Sequence, residues 1–264
     1  MKKNINIQGE LRLKILKMHR NANSGHIGCS LSCIDILIAV LKYVKSDLDS
    51  FILSKGHASS ALYTILNDLD EISDAEIETF YKDATTLPAH PAPLKFPSIP
   101  FATGSLGHGL PIATGIAKAN KLKSNINKSF VLMSDGETNE GTTWEAAHFA
   151  VANELDNLFV IVDKNGLQGF GNTCDILGET AEIKKWQSIG FDVLEVDGHD
   201  ISIMISSIKA LNENNSKAPK IIIANTTKGK GVDFMEGKME WHYLPMNESQ
   251  YELAKSSVIN NYKL

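Results

Sequence analysis

Two short segments carry residues whose types and spacing could do chemistry. In "SDGETNEG" Asp135-Gly136 follows an apolar run, and in "DKNGLQGFGNT" Asn165-Gly166 follows another. One carboxylate, one carboxamide oxygen and a backbone carbonyl from the loop after Asn165 form a donor set suited to a hard cation. Magnesium takes few protein ligands and fills its octahedron with water and phosphate oxygens. A single negative charge in the set leaves the cation able to hold a diphosphate. Gly136 would let the backbone approach that diphosphate, with its N–H as a donor. Taken singly, each dipeptide is more often a turn than a ligand. Their shared position, after consecutive apolar runs, favours a site.

The elements around these segments decide whether they meet. From Ser129 onward the runs "FVLM", "LFVIV", "FDVLEV" and "KIIIAN" alternate with helical stretches over 138–155, 179–189 and 200–214. Short β-branched runs alternating with helices predict βαβ units. The fold class is then α/β, a three-layer α/β/α arrangement with a mostly parallel sheet covered on both faces. Such sheets hold ligands outside the carboxyl ends of their strands. A right-handed crossover between neighbouring strands would carry Asp135 and Asn165 to one crevice.

Upstream, residues 8–23 and 32–46 are expected to be helical, the second buried on most of its surface. "FILS" over 51–54 reads as a short buried strand and "ASSALYTILNDL" as a helix. Ser73 and Glu76 read as a capping box. Residues 84–104 hold five of the eight prolines and are expected to form a long functional loop. "HGLPIATGIAKANKLK" resumes as a helix of small residues, and "MNESQYELAKSSVINNYKL" reads as a helix with a short tail. One domain is expected over 1–264.

The composition, 43% hydrophobic and 22% charged, suits a globular domain with a substantial core. A net charge of -5 with dispersed basic residues argues against nucleic-acid and membrane-surface partners. Cys29, Cys33 and Cys174 show no paired spacing and read as reduced thiols. No segment is expected to span a membrane, and the N-terminal stretch lacks the apolar core of a signal peptide. A cytoplasmic location is the expectation.

Asp-Gly followed by Asn about thirty residues later resembles the thiamine diphosphate fingerprint. The longer text "SDGETNEGTTWEAAHFAVANELDNLFVIVDKNGLQ" resembles the cofactor domain of transketolase in its split, N-terminal-subunit form. "NANSGHIG", "SKGHASSALY", "PAHP", "TGSLGHGL" and "TTKGKGVDFMEG…EWH" follow in family order along nearly the whole chain. The resemblance implies thiamine diphosphate and magnesium, or calcium or manganese in its place. It implies Asp135, Asn165 and Leu167 as metal ligands. It also implies cofactor contacts from His57, Gly104, Ser105, Leu106, Asp135, Gly136, Glu137, Asn165, Leu167 and His242, with the backbone around Gly104 and Leu106 meeting the aminopyrimidine. His26, His57, His90 and His242 are the implied catalytic residues. His57 and His242 would approach the diphosphate and the reaction centre. His26 and His90 would face the donor sugar, where imidazoles hydrogen-bond hydroxyls and relay protons. Glu140 matches a carboxylate near the family's subunit boundary. His19, His148 and His199 are expected to be structural, and His108 a plain helix N-terminus.

The implied reaction moves a two-carbon ketol unit from a ketose phosphate to an aldose phosphate. In this family the glutamate that activates the cofactor lies on a second domain, and this chain covers one domain. The expectation is half an enzyme, active with a separate C-terminal pyrimidine-domain subunit in a heterotetramer. Several positions depart from the family. Ser134 replaces the first glycine of Gly-Asp-Gly, Ile27 a proline and His108 a glutamine. "LQGFG" lacks an aspartate, and "WHYLPM" replaces a glycine-containing turn after His242. These departures leave the cofactor site credible and point to a modified sugar or a specialised pathway. The alternatives are another thiamine carboligase, similar to 1-deoxyxylulose phosphate synthase, and a non-catalytic paralogue. A nicotinamide dehydrogenase is disfavoured, because "GSLGHG" has the wrong glycine order and no strand before it.

Overall fold

A computed structural model describes residues 6–264. Its main sheet has five parallel strands: β1 (Ser50–Leu53), β2 (Ser129–Ser134), β3 (Leu158–Lys164), β6 (Asp192–Asp197) and β7 (Lys220–Asn225). A small antiparallel hairpin, β4 (Leu167–Gln168) with β5 (Gly171–Asn172), follows β3. The spatial order is β1-β2-β3-β7-β6. Ser134 pairs with Asp163, so β2 and β3 end side by side.

Alternation along the strands splits the core in two. Phe130, Leu132, Phe159, Ile161, Ile222 and Ala224 face one layer. Val131, Met133, Val160, Val162, Ile221 and Ile223 face the other. Both faces are buried, so the strands read as continuous apolar runs. β1 and β6 are the edges, and on β6 Glu195 and Asp197 keep the edge charged and partly exposed.

Ten α-helices surround the sheet among the described residues: α1 (Ile7–Ala22), α2 (Ile27–Leu37), α3 (Ser59–Asp68), α4 (Asp74–Ile77), α5 (Gly109–Leu122), α6 (Gly141–Ala152), α7 (Thr173–Leu177), α8 (Ile183–Ile189), α9 (Ile201–Glu213) and α10 (Glu248–Tyr262). Ile15, Ile34, Leu62, Met204 and Val258 bring α1, α2, α3, α9 and α10 onto one face. Leu110, Ala147 and Trp186 bring α5, α6 and α8 onto the other. The three-layer expectation is met.

Several details differ from the sequence reading. α2 begins at Ile27, before the expected position 32, and runs on as a π-helical segment over Ile38–Val44. Gly28, Cys29, Ser30 and Ser32 look like loop residues, yet small side chains are what let this helix start deep in the core. Ile27–Val44 is long and apolar enough to cross a membrane, with a mean hydropathy of 1.9, contrary to expectation. In the structure 78% of it is buried inside the protein, packed on α1, α3 and α9, so it is a core helix. The stretch 138–155 is shorter than expected: a 3-10 turn, Asp135–Asn139, precedes α6. The stretch 179–189 narrows to α8, and α7 precedes it. The Ser73–Glu76 capping box is present, on a helix of only one turn.

Candidate active site

Asp135 directly follows β2 and is 1% exposed. Its Oδ2 accepts the Gly166 N–H at 2.7 Å and the Thr173 hydroxyl at 3.1 Å, and its Oδ1 accepts the Gly136 N–H at 2.9 Å. Asn165 follows the paired strand β3 and lines the same cleft, with its Oδ1 accepting the Leu167 N–H at 3.1 Å. The crevice expected from a βα crossover is therefore formed. Burial, aided by the nearby Asp163 carboxylate, raises Asp135 to about 6, against the pull of its hydrogen bonds and Lys228. An added cation would favour the ionised form. Among the described residues no cluster of three or more His, Cys, Asp or Glu could hold a metal.

The four expected histidines come together. The His26 ring centroid lies 5.7 Å from His57, 6.0 Å from His90 and 5.3 Å from His242, and His57 stacks on His242 at 5.6 Å. His26 starts α2 with φ 68°, and its N–H donates to the His242 carbonyl at 3.2 Å. A non-glycine residue in the left-handed region is a strained conformation of the kind that gathers at functional sites. Before it, a Cβ on Gly25 would lie 2.1 Å from the Tyr243 carbonyl oxygen, so only glycine lets these two loops touch. The proline-rich loop delivers His90, anchored by Tyr63 Oη donating to the Pro88 carbonyl and Ser59 Oγ to the Ala89 carbonyl. Gly104, at φ 143°, closes on the His90 ring, where a Cβ would come within 2.9 Å. Burial lowers His26 to about 4, with Cys29 opposing and the neighbouring imidazoles assisting. Burial also lowers His57 and His90. These three rings are neutral near pH 7, so each can donate at one nitrogen and accept at the other.

Beneath the rings lies a charged floor. Lys228 is 1% exposed, and its Nζ lies 3.0 Å from His242 Nδ1 and 3.5 Å from Cys29 Sγ, neither of them a carboxylate. Burial alone would raise the Cys29 thiol, yet Lys228, His57 and His242 bring it well below the usual thiol range. Deeper still, Lys55 and Asp163 form a fully buried ion pair. Ser32 Oγ donates to Asp163 at 2.6 Å and Thr226 Oγ1 donates to its other oxygen. This network ties together α2 and the ends of β1, β3 and β7.

A cleft of about 520 Å³ is lined by His26, His57, His90, His242, Gly104, Leu106, Asp135, Gly136, Asn165 and Leu167. Two expected contacts fall elsewhere. Ser105 is exposed and is not among the lining residues. Glu137 is fully buried under the cleft: its carboxylate accepts the Ser54 hydroxyl, the Gly107 N–H at 3.0 Å and the Ser134 N–H at 2.9 Å. Its side chain is turned inward by a capping box with Ser134 and supports the 104–109 loop through the Gly107 N–H. Burial raises its pKa, against the pull of those hydrogen bonds.

Sequence reasoning also missed Lys228, Gln168, Asn139 and Tyr243, which line the cleft together with Glu140. "TTKGKG" directly follows β7, but nothing in the sequence singles out Lys228. His19 is buried between Ser24 and Ser60, and His199 bridges Asp35 and the Thr227 N–H. His148 is exposed, and His108 is the N-cap of α5 without a side-chain cap bond. A second cleft of about 530 Å³, lined by Lys14, Lys17, Asp74 and Glu78 of α1, α4 and the α4 C-cap, contains none of the residues above.

Sheet, strand-end turns, clustered imidazoles and a buried lysine define an α/β domain built to hold a phosphorylated cofactor at its strand ends. The family profile described as "Transketolase, thiamine diphosphate binding domain" matches residues 4–262. The chain belongs to the transketolase family, as its N-terminal, thiamine diphosphate-binding part. It is 39% identical over 254 residues to one subunit of the apulose-4-phosphate transketolase of Actinobacillus succinogenes, covering 92% of this chain and 91% of that one. It is 34% identical over 239 residues to the 6-deoxy-6-sulfo-D-fructose transketolase subunit SqwG of a Clostridium species, covering 87% and 86%. The crystal structure of transketolase from Campylobacter jejuni superposes with a TM-score of 0.86 at 30% identity, covering 97% of this chain and 43% of that one. The chain thus spans about two fifths of that transketolase and nine tenths of the Actinobacillus subunit. It corresponds to the N-terminal subunit of the split form.

Proposed function

We propose that this chain is the cofactor-holding subunit of a magnesium-dependent transketolase that moves a two-carbon ketol unit from a ketose phosphate to an aldose phosphate. The observation that carries this is the meeting of Asp135, Asn165 and four histidines in one cleft over Lys228. Lys228 is buried with no carboxylate on it and only the Cys29 sulfur as an anionic neighbour, and a bound diphosphate would add counter-charge to an ammonium that is costly to bury. The residues present therefore fit the cofactor. Asp135, Asn165 and the Leu167 carbonyl would hold the metal. Lys228 and the strand-end N–H groups would hold the diphosphate. Bound thiamine diphosphate supplies a nucleophilic carbon and an electron sink.

The protein's own groups do the rest. Neutral imidazoles at His26 and His90 bind the sugar hydroxyls. His57 and His242, which line the cleft, would hold or move protons at the substrate carbonyl. Lys228, donating to His242 Nδ1 at 3.0 Å, leaves that ring's other nitrogen as its free proton site. The cofactor-activating glutamate comes from a separate pyrimidine-domain subunit, and two copies of each chain form a cytoplasmic heterotetramer. Relatives named for apulose 4-phosphate and a sulfofructose support a modified sugar as substrate, as do Ile27 and the residues after His242.

Purified alone, the chain is expected to show no ketol transfer, and co-expression with a pyrimidine-domain partner restores it. Strong turnover by the lone chain contradicts the split-enzyme reading. With the partner present, a ketose phosphate outperforms pyruvate as donor, and the reverse would assign the chain to the pyruvate-using carboligases.

A further inference from the structure

Two amides in the cleft have no partner on their nitrogen side. Asn139 Nδ2 and Gln168 Nε2 are buried and make no hydrogen bond among the described residues, and both side chains line the cofactor cleft. Buried donors are nearly always paired, because an unpaired one forfeits its hydration without return. An orphan in a ligand cleft therefore marks where a ligand acceptor belongs. The other end of Asn139 is fixed: its Oδ1 accepts the Thr180 hydroxyl at 2.8 Å, which directs the Nδ2 hydrogens away from that contact. Gln168 lies over Gly136, where an added Cβ would come within 3.3 Å of its side chain. β4, which carries Gln168, packs on the turn that runs from Asp135 to Asn139. Both amides thus flank Asp135-Gly136, the end of the cleft that would hold the metal and the phosphates.

The geometry points to Asn139 and Gln168 as hydrogen-bond donors to the oxygens of the bound diphosphate. This rests on the thiamine diphosphate reading and extends it to two residues that carry no charge. Neutral amides suit the task. Lys228 and the cation balance the diphosphate charge, while the remaining oxygens still need donors once water is displaced.

The test is calorimetry on the full chain with magnesium, titrating thiamine diphosphate and, separately, inorganic pyrophosphate. Gln168→Met keeps the side-chain volume and removes the donor, and Asn139→Ala removes the second. Each substitution is expected to weaken both ligands by roughly tenfold or more, the usual loss for a hydrogen bond to a charged group. The melting temperature of the ligand-free Gln168→Met protein does not fall, since an apolar isostere relieves an unpaired donor. Wild-type affinity in both variants overturns the assignment. So does a loss of affinity in Gln168→Met matched by a fall in its ligand-free melting temperature, which would mark a structural role. Wild-type protein that binds neither ligand even with the pyrimidine-domain partner present would bring down the cofactor reading and this pair with it, a result distinct from equal affinities.

Discussion

Replacing Lys55 with methionine tests the electrostatic floor beneath the site. Lys55 and Asp163 are both fully buried, and Lys55 Nζ also donates to the Cys29 carbonyl at 3.2 Å. Methionine keeps much of the volume and removes the charge. Asp163 is then left with two hydroxyl donors, Ser32 and Thr226, and no counter-charge. Breaking a buried pair from one side costs about 3–5 kcal/mol, a large share of the roughly 5–15 kcal/mol that holds a domain together. At about 2–4 °C per kcal/mol for a chain near this size, the melting temperature falls by about 6–20 °C. Adding Asp163→Asn removes the stranded charge and recovers much of the loss, so the double-mutant cycle shows a coupling of at least about 1 kcal/mol.

The sign of the pH dependence follows from Asp163. Burial alone would raise its pKa, but Lys55 and the two hydroxyls hold it below the usual range. Its contribution is complete above the unfolded carboxylate value near ~3.9 and is lost as pH falls through the lower folded value. The coupling should therefore persist from neutral pH down to about pH 5. Circular dichroism melts of the four proteins read it directly. Additive single effects, or a Lys55→Met protein melting with the wild type, would refute the reasoning.

Three further outcomes are expected. The folded pKa of Asp135, about 6, lies above its unfolded value, so the stability its protonated form contributes is lost as pH rises through about 6. The ligand-free wild type should thus lose stability relative to Asp135→Asn between about pH 5 and pH 8, by about 1.4 kcal/mol; parallel pH profiles would contradict this. Gly104→Ala forces an L side chain to φ 143° and against the His90 ring. It should cost about 1–3 kcal/mol and shift the His90 resonances, and an unperturbed melt with unshifted resonances would show the loop has slack. His26, lowered to about 4, should show no protonation by NMR between about pH 5.5 and pH 8, whereas a midpoint near the ordinary ~6.5 would mean the ring is solvated.

The parts legible in the sequence are those where burial is symmetric or the spacing is local. β2, β3 and β7 are covered on both faces, so each shows as a short unbroken apolar run. Asp135 and Asn165 were legible because a strand end fixes where its next residue points. The start of α2 was hidden, because small residues that allow close packing in a core look like loop residues in a sequence. Glu137 shows a different limit. A motif gives proximity to a ligand, but which way a side chain turns depends on Ser54 and Gly107, which are distant in the chain. Lys228 and Cys29 lie 199 positions apart and meet only through the fold. The β4–β5 hairpin is too short to show any periodicity.

The most direct measurement is a calorimetric titration of thiamine diphosphate into the full chain with and without magnesium. Saturable binding that needs the metal, and that disappears when Asp135 and Asn165 are both changed to alanine, is the expected result. Binding of equal strength without magnesium, or binding untouched by the double substitution, would contradict the cofactor site built on Asp135 and Asn165.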